Sequence, residues 1–170
     1  MTASPQSFSA ERSFVDHEHR DLRPGIDRIH EVARSVGTMA APDLSIVLLD
    51  VLDWVDKVVE PHAAWEDGWL YPEIDRRAGS PWATKTMRYE HHQIRAAASR
   101  LEADRDLLKH EPNHDQACDL LGHLVALETL LRAHTEREER FLFPILDEPT
   151  ATPSRLVPEL APLSAESDSA

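Results

Sequence analysis

The amino-acid sequence predicts an all-α protein, an antiparallel up-down-up-down four-helix bundle with an internal pseudo-two-fold repeat. Three observations carry this. Glycine is scarce, five in 170 residues, and the segments between helix breakers are long. Within those segments apolar residues recur three, four and seven positions apart, the mark of one buried stripe on a helix. Sliding the chain against itself by 72 positions lays "EHRDLR" (from Glu18) on "EHHQIR" (from Glu90) and "PHAAWEDGWLYP" on "AHTEREERFLFP", so one helical hairpin is used twice.

Taken in order, residues 1–10 are small and polar and read as a flexible arm. The first helix carries Phe14, Val15, Leu22, Ile26, Ile29, Val32, Ala33 and Val36 as its stripe and ends at Gly37; Pro24 removes one ladder bond and predicts a kink. A second helix starts near Pro42 and Asp43, buries Ile46, Leu49, Leu52, Val55, Val58 and Val59, bends at Pro61 and stops at Pro72. Ser80 as a cap and Pro81 in the first helical position start the third, which runs to about Lys109. Asn113, with Gln116 three positions on, forms a capping box for the fourth. That helix carries Leu120, Leu121, Leu124, Leu127, Leu130, Leu131 and Phe141 toward a stop at Pro144. Short connections between four such helices favour antiparallel neighbours. The bundle thus spans 11–148, and the Pro-, Ser- and Ala-rich residues 149–170 are expected to be mostly disordered.

Composition narrows the function. A net charge of -13 would repel nucleic acid and anionic membranes, both of which require a basic surface. No apolar run approaches the ~20 residues that span a bilayer, and "MTASPQSFSAERSF" lacks a basic segment followed by an apolar one. Cys118 is the single cysteine, so no intramolecular disulfide framework exists and a reducing, cytoplasmic setting is expected.

The chemistry lies in the repeated segments. His62 and Glu66 stand four apart among tryptophans and aliphatics, as do His134 and Glu138. Such pairs share one helix face, about 6 Å apart, and a buried charge there requires a partner or a metal. His19 and His91, matched by the same offset, fall early in the first and third helices, level with the late parts of the second and fourth. Six side chains, His19, His62, Glu66, His91, His134 and Glu138, should therefore meet at one height. Four imidazoles and two carboxylates suit a pair of iron or manganese ions bridged by the carboxylates. Zinc fits less well, since it favours about four ligands and often thiolates.

These segments resemble the hemerythrin family, in particular the hemerythrin-like HHE cation-binding domains. The likeness rests on "EHRDL", "PHAAWEDGWLYP", "EHHQI" and "AHTEREERFLFP" and covers about residues 11–148. It implies a non-haem di-iron centre on the same six residues with a bridging oxide or hydroxide, manganese or zinc being the alternative metals. It further implies a small partner such as dioxygen, peroxide or nitric oxide. One departure stands out: oxygen-carrying members have a second histidine one turn after the third-helix ligand, where this chain has Arg95. Of about twelve positions on two six-coordinate irons, four histidines, two bridging carboxylates and one bridging oxygen fill ten, leaving one open on each metal. Such a centre suits binding or reaction with a small oxidant. The alternatives are a peroxidase, catalase-like or ferroxidase enzyme, and a sensor of iron or oxygen or an iron-handling protein. No nucleophilic serine or cysteine arrangement points to hydrolysis.

The remaining histidines read as peripheral. His17 and His92 neighbour the proposed ligands and are expected at the surface, as are His110 and His114 around the last turn. His30, Glu102 and His123 are expected to cluster at the far end of the bundle, about 16 Å away by helical rise. Trp65, Trp69, Phe141 and Phe143 are expected to jacket the site, and Asp67, Glu136 and Glu139 to accept hydrogen bonds around it or form an acidic face.

Overall fold

The computed structural model describes residues 5–147, with side chains from His19 onward. Helix α1 runs Pro5–Ser35, so residues 5–10, read from sequence as an arm, are helical. The tail expected from residue 149 lies outside the described residues. Gly37, at φ 84°, ends the first rod in the left-handed region that favours glycine.

The second rod is continuous over residues 41–78. It comprises α2 (Ala41–Trp54), a π segment Val55–Val59, α3 (Glu60–Trp65), a second π segment Glu66–Leu70 and α4 (Tyr71–Ala78). The third rod is α5 (Lys85–Leu107), and the fourth joins α6 (His114–Arg137), a third π segment Glu138–Leu142 and α7 (Phe143–Asp147). Packing contacts link α1 to α2, α2 to α5, α5 to α6 and α6 back to α1, which closes the four-helix bundle. Among the described residues no helix is long and apolar enough to cross a membrane.

Several helix boundaries differ from expectation, and proline explains two of them. Pro72 and Pro144 do not stop their helices, which continue to Ala78 and to Asp147. Each of the three π segments is closed by the residue just before a proline: Glu60 N–H donates to Val55 O, Tyr71 to Glu66 O and Phe143 to Glu138 O. A proline ring clashes with the carbonyl one α-turn back and brings no N–H; the wider π turn gives it room. Where the repeat replaces Pro61 by Ala133, α6 stays α-helical. Pro24, by contrast, sits within α1 with no π segment. The third helix starts at Lys85, later than Pro81, because Ser80 Oγ accepts from Trp82 N–H in a turn and Asp75 takes the Thr84 N–H at 3.0 Å. The Asn113–Gln116 capping box forms as expected.

The core divides into two apolar blocks. The larger includes Leu22, Ile26, Ile29, Leu44, Leu48, Val51, Val55, Ile94, Leu101, Leu120, Leu124, Leu127 and Leu131. On α2 the buried residues are Ala41, Leu44, Leu48 and Val51, while Ile46 and Leu49 are 59% and 51% exposed; the expected phase was wrong there. Gly25 admits the ring of Trp54 so closely that a Cβ would lie 1.9 Å from Trp54 Cε2. The smaller block is Leu70, Tyr71, Ile74, Met87, Leu142, Phe143 and Leu146. Every rod meets a histidine between residues of one block and the other or beside it: Val59, His62 and Leu70; Met87, His91 and Ile94; Leu131, His134 and Leu142.

Candidate metal centre

The polar layer between the blocks contains all six residues singled out by the repeat. His19, His62, Glu66, His91, His134 and Glu138 are each buried. They form two groups able to hold a cation: His19, His62, Glu66 and Glu138, and Glu66, His91 and His134. Glu66 belongs to both. Its Oε1 lies 2.8 Å from His62 Nε2 and 3.7 Å from His19 Nε2, and its Oε2 lies 3.1 Å from His91 Nε2. Glu138 Oε2 lies 3.1 Å from His19 Nε2, while Oε1 turns to Tyr71. His91 Nε2 and His134 Nε2 face each other at 3.1 Å.

This donor set fits a metal. His19 Nε2, Glu66 Oε1 and Glu138 Oε2 are buried and make no hydrogen bond, although the imidazole nitrogen lies within ion-pair distance of both carboxylate oxygens. Buried polar atoms left so are costly, and two imidazole nitrogens opposed at 3.1 Å share at most one proton. A cation placed among them would satisfy all of these atoms. The electrostatics show the same pull. Burial opposes charge on His19, yet Glu138 and Glu66 raise its pKa to about 10. Burial likewise opposes charge on His134, and Glu66 and Glu90 raise it to about 9. Burial pushes Glu66 up, but the imidazoles of His134, His19, His62 and His91 hold it well below the usual carboxylate range.

Sequence periodicity missed Tyr71. Its hydroxyl donates to Glu138 Oε1 at 2.5 Å and lies 3.4 Å from His134 Nε2 and 3.5 Å from His91 Nε2 and Glu66 Oε2. An α-helix would turn the fifth residue after Glu66 well away from it; the π segment, which bonds Tyr71 N–H to Glu66 O, brings that residue back over Glu66. The signal was the proline that follows. Burial, then Glu138 and Glu66, push the Tyr71 phenol pKa up, so it keeps its proton. At the repeat position, Phe143 has no hydroxyl and packs on His19 with ring centres 5.0 Å apart. The two halves of the layer therefore differ by one oxygen.

The π turn has a second effect. Tyr71 N–H goes to Glu66 O and Pro72 has none, so the Asp67 carbonyl loses its ladder donors; Arg88 Nη1 donates to it at 2.9 Å. Around the layer, Glu139 Oε1 takes the His19 Nδ1–H at 3.3 Å and Glu90 Oε2 takes the His134 Nδ1–H at 3.1 Å. Asp67 Oδ2 lies 3.2 Å from His91 Nδ1. Glu136, by contrast, pairs with Arg140 at the surface.

Other expected residues lie elsewhere. Arg95 turns to Glu60 at 2.8 Å and brings nothing into the layer. Trp69 and Phe141 are 75% and 66% exposed and form no jacket; the π turns that swing Tyr71 and Phe143 inward carry these neighbours outward, leaving Phe143 buried and Trp65 half-buried. The residues expected to cluster at the far end take other partners: His30 pairs with Glu128 at 3.1 Å and His123 with Asp104 at 2.6 Å, while Glu102 is exposed. His92, His110 and His114 are exposed.

Fold and site together define a four-helix bundle with a buried His/Glu layer compatible with binding a metal. The family model described as hemerythrin HHE cation binding domain matches residues 11–146. The chain belongs to that family. Neither a curated protein nor a solved structure gave a match.

Proposed function

We propose that this chain is a non-haem di-iron protein that binds or reacts with a small oxidant, dioxygen, peroxide or nitric oxide, at the layer formed by His19, His62, Glu66, His91, His134 and Glu138. The observation that supports it best is the convergence of six buried nitrogen and oxygen donors into two groups that share Glu66. His19, His62 and Glu138 with Glu66 Oε1 would hold one ion, and His91 and His134 with Glu66 Oε2 the other. All the donors are nitrogen or oxygen and none is a thiolate, a set that suits iron or manganese. Iron bound there supplies Lewis acidity and one-electron redox capacity.

The chain's own residues define the surroundings. The two apolar blocks exclude water from both sides of the layer, which strengthens every interaction within it. Arg95, held on Glu60, leaves the layer without the fifth histidine of oxygen carriers. The Tyr71 hydroxyl is a hydrogen-bond donor beside His91 and His134. It favours a second reading, turnover of peroxide, since a hydrogen bond from a phenol that keeps its proton would stabilise charge on the departing oxygen as an O–O bond breaks.

The test is elemental analysis joined to a visible spectrum before and after peroxide. Two irons per chain and an oxidant-dependent absorption change are expected, with the metal lost in His62→Ala and Glu138→Ala. A reversible change without consumption of the oxidant identifies a binder; steady peroxide consumption identifies an enzyme. Absence of stoichiometric metal after aerobic and anaerobic reconstitution would refute both.

A further inference from the structure

Two of the ring nitrogens that face away from the layer are hydrogen-bonded to carboxylates. His134 Nδ1 meets Glu90 Oε2 at 3.1 Å, and Glu90 Oε1 in turn takes Arg137 Nη2 at 2.7 Å. His19 Nδ1 meets Glu139 Oε1 at 3.3 Å, and the same oxygen accepts from Arg23 Nη2 at 3.4 Å. A carboxylate can only accept, so each fixes its imidazole as the Nδ1–H tautomer and leaves the Nε2 lone pair for the layer. Glu90 is buried, and a buried carboxylate without a cation would be expensive; Arg137 supplies that cation from a half-exposed position. The pair is thus an electrically neutral acceptor that orients the ring without adding net negative charge beside the layer.

We propose that Glu90 with Arg137, and Glu139 with Arg23, are positioning residues that lock the tautomer and ring plane of His134 and His19 for metal binding. Neither carboxylate reaches the layer itself. The inference rests on the reading of the six donors as metal ligands. It accounts for Glu90, a buried carboxylate that the six-donor set leaves unused. Outer partners of this kind typically change metal affinity 10–100-fold.

Cobalt(II) is the probe, because it is paramagnetic and shifts the exchangeable ring N–H resonances of its histidine ligands away from all others. In the wild-type protein loaded with cobalt, protected N–H lines from His134 and His19 are expected. Glu90→Ala should lose the His134 line to solvent exchange, keep the His19 line and bind cobalt about 10–100-fold more weakly in chelator competition. Glu90→Gln, whose amide oxygen still accepts, should restore the line and most of the affinity. Glu139→Ala, at a position 37% exposed and so tolerant of truncation, should lose the His19 line alone, which keeps the test open if Glu90→Ala fails to fold by circular dichroism. Variants that bind cobalt within twofold of wild type and retain every line overturn the positioning role. A wild-type protein that takes up no cobalt, iron or manganese instead overturns the six-ligand reading, and this inference with it.

Discussion

Replacing Tyr71 by phenylalanine removes one oxygen from the layer and little else. The repeat already places phenylalanine at the equivalent Phe143, so the ring is expected to be accommodated and the volume is nearly conserved. What is lost is the hydrogen bond to Glu138 Oε1 at 2.5 Å; the other neighbours, at 3.4–3.5 Å, are too distant to add much. A hydrogen bond to a charged group is worth about 1.5–3 kcal/mol, and the metal-free variant should be less stable by about that amount in urea denaturation. For a chain of this size it corresponds to a midpoint lower by on the order of 5 °C. If Tyr71 also donates a hydrogen bond to the departing oxygen in peroxide turnover, the iron-loaded variant should retain its metal and consume peroxide about 100-fold more slowly, the low end for loss of a preorganised hydrogen-bond donor. Unchanged stability would refute the hydrogen bond, and unchanged turnover at full metal content would refute the role in turnover.

Gly25→Ala should destabilise the fold by about 1–3 kcal/mol, because its Cβ would collide with the Trp54 ring. Gly122→Ala, in α6 with nothing within 4 Å of the new methyl, should stabilise by about 1 kcal/mol; thermal denaturation of both checks the contrast. The pKa values of His19 and His134, raised to about 10 and about 9, lie above the ordinary imidazole value. Their contribution to metal-free stability is therefore full below about pH 6.5 and lost as pH rises through 9–10. Metal must displace those protons, so iron or manganese uptake should release protons at pH 7 and tighten with rising pH, as a pH-indicator titration would show. Trp69→Ser and Phe141→Ser, at exposed positions, should leave stability within about 0.5 kcal/mol and metal content unchanged in elemental analysis.

The fold and the meeting of six side chains are legible in the sequence for one reason: the 72-residue offset repeats both hairpin and layer. Periodicity alone was weaker. In α2 the run from Ile46 to Leu49 is apolar on too many faces to set a phase, and the stripe was placed on Ile46 and Leu49 when Leu44 and Leu48 are buried. Tyr71 was overlooked and Trp69 and Phe141 were misplaced for one reason, since an angular count of 3.6 residues per turn fails across a π segment. Pro72 and Pro144 were read as terminators; in the structure they follow the widened turns that bring Tyr71 and Phe143 inward. Glu90 could have been noticed as the residue preceding His91, but its reach to His134 crosses from α5 to α6, and no local spacing reports such a contact.

The division of the interior into two apolar blocks has a thermodynamic consequence. Seven side chains at one end are joined to the larger set through a stratum of imidazoles and carboxylates, and cooperativity must pass through it. With cations in place that stratum is a rigid weld and the bundle should melt as one unit. Without them the smaller block is free to loosen first, and the calorimetric enthalpy should then exceed the van't Hoff value.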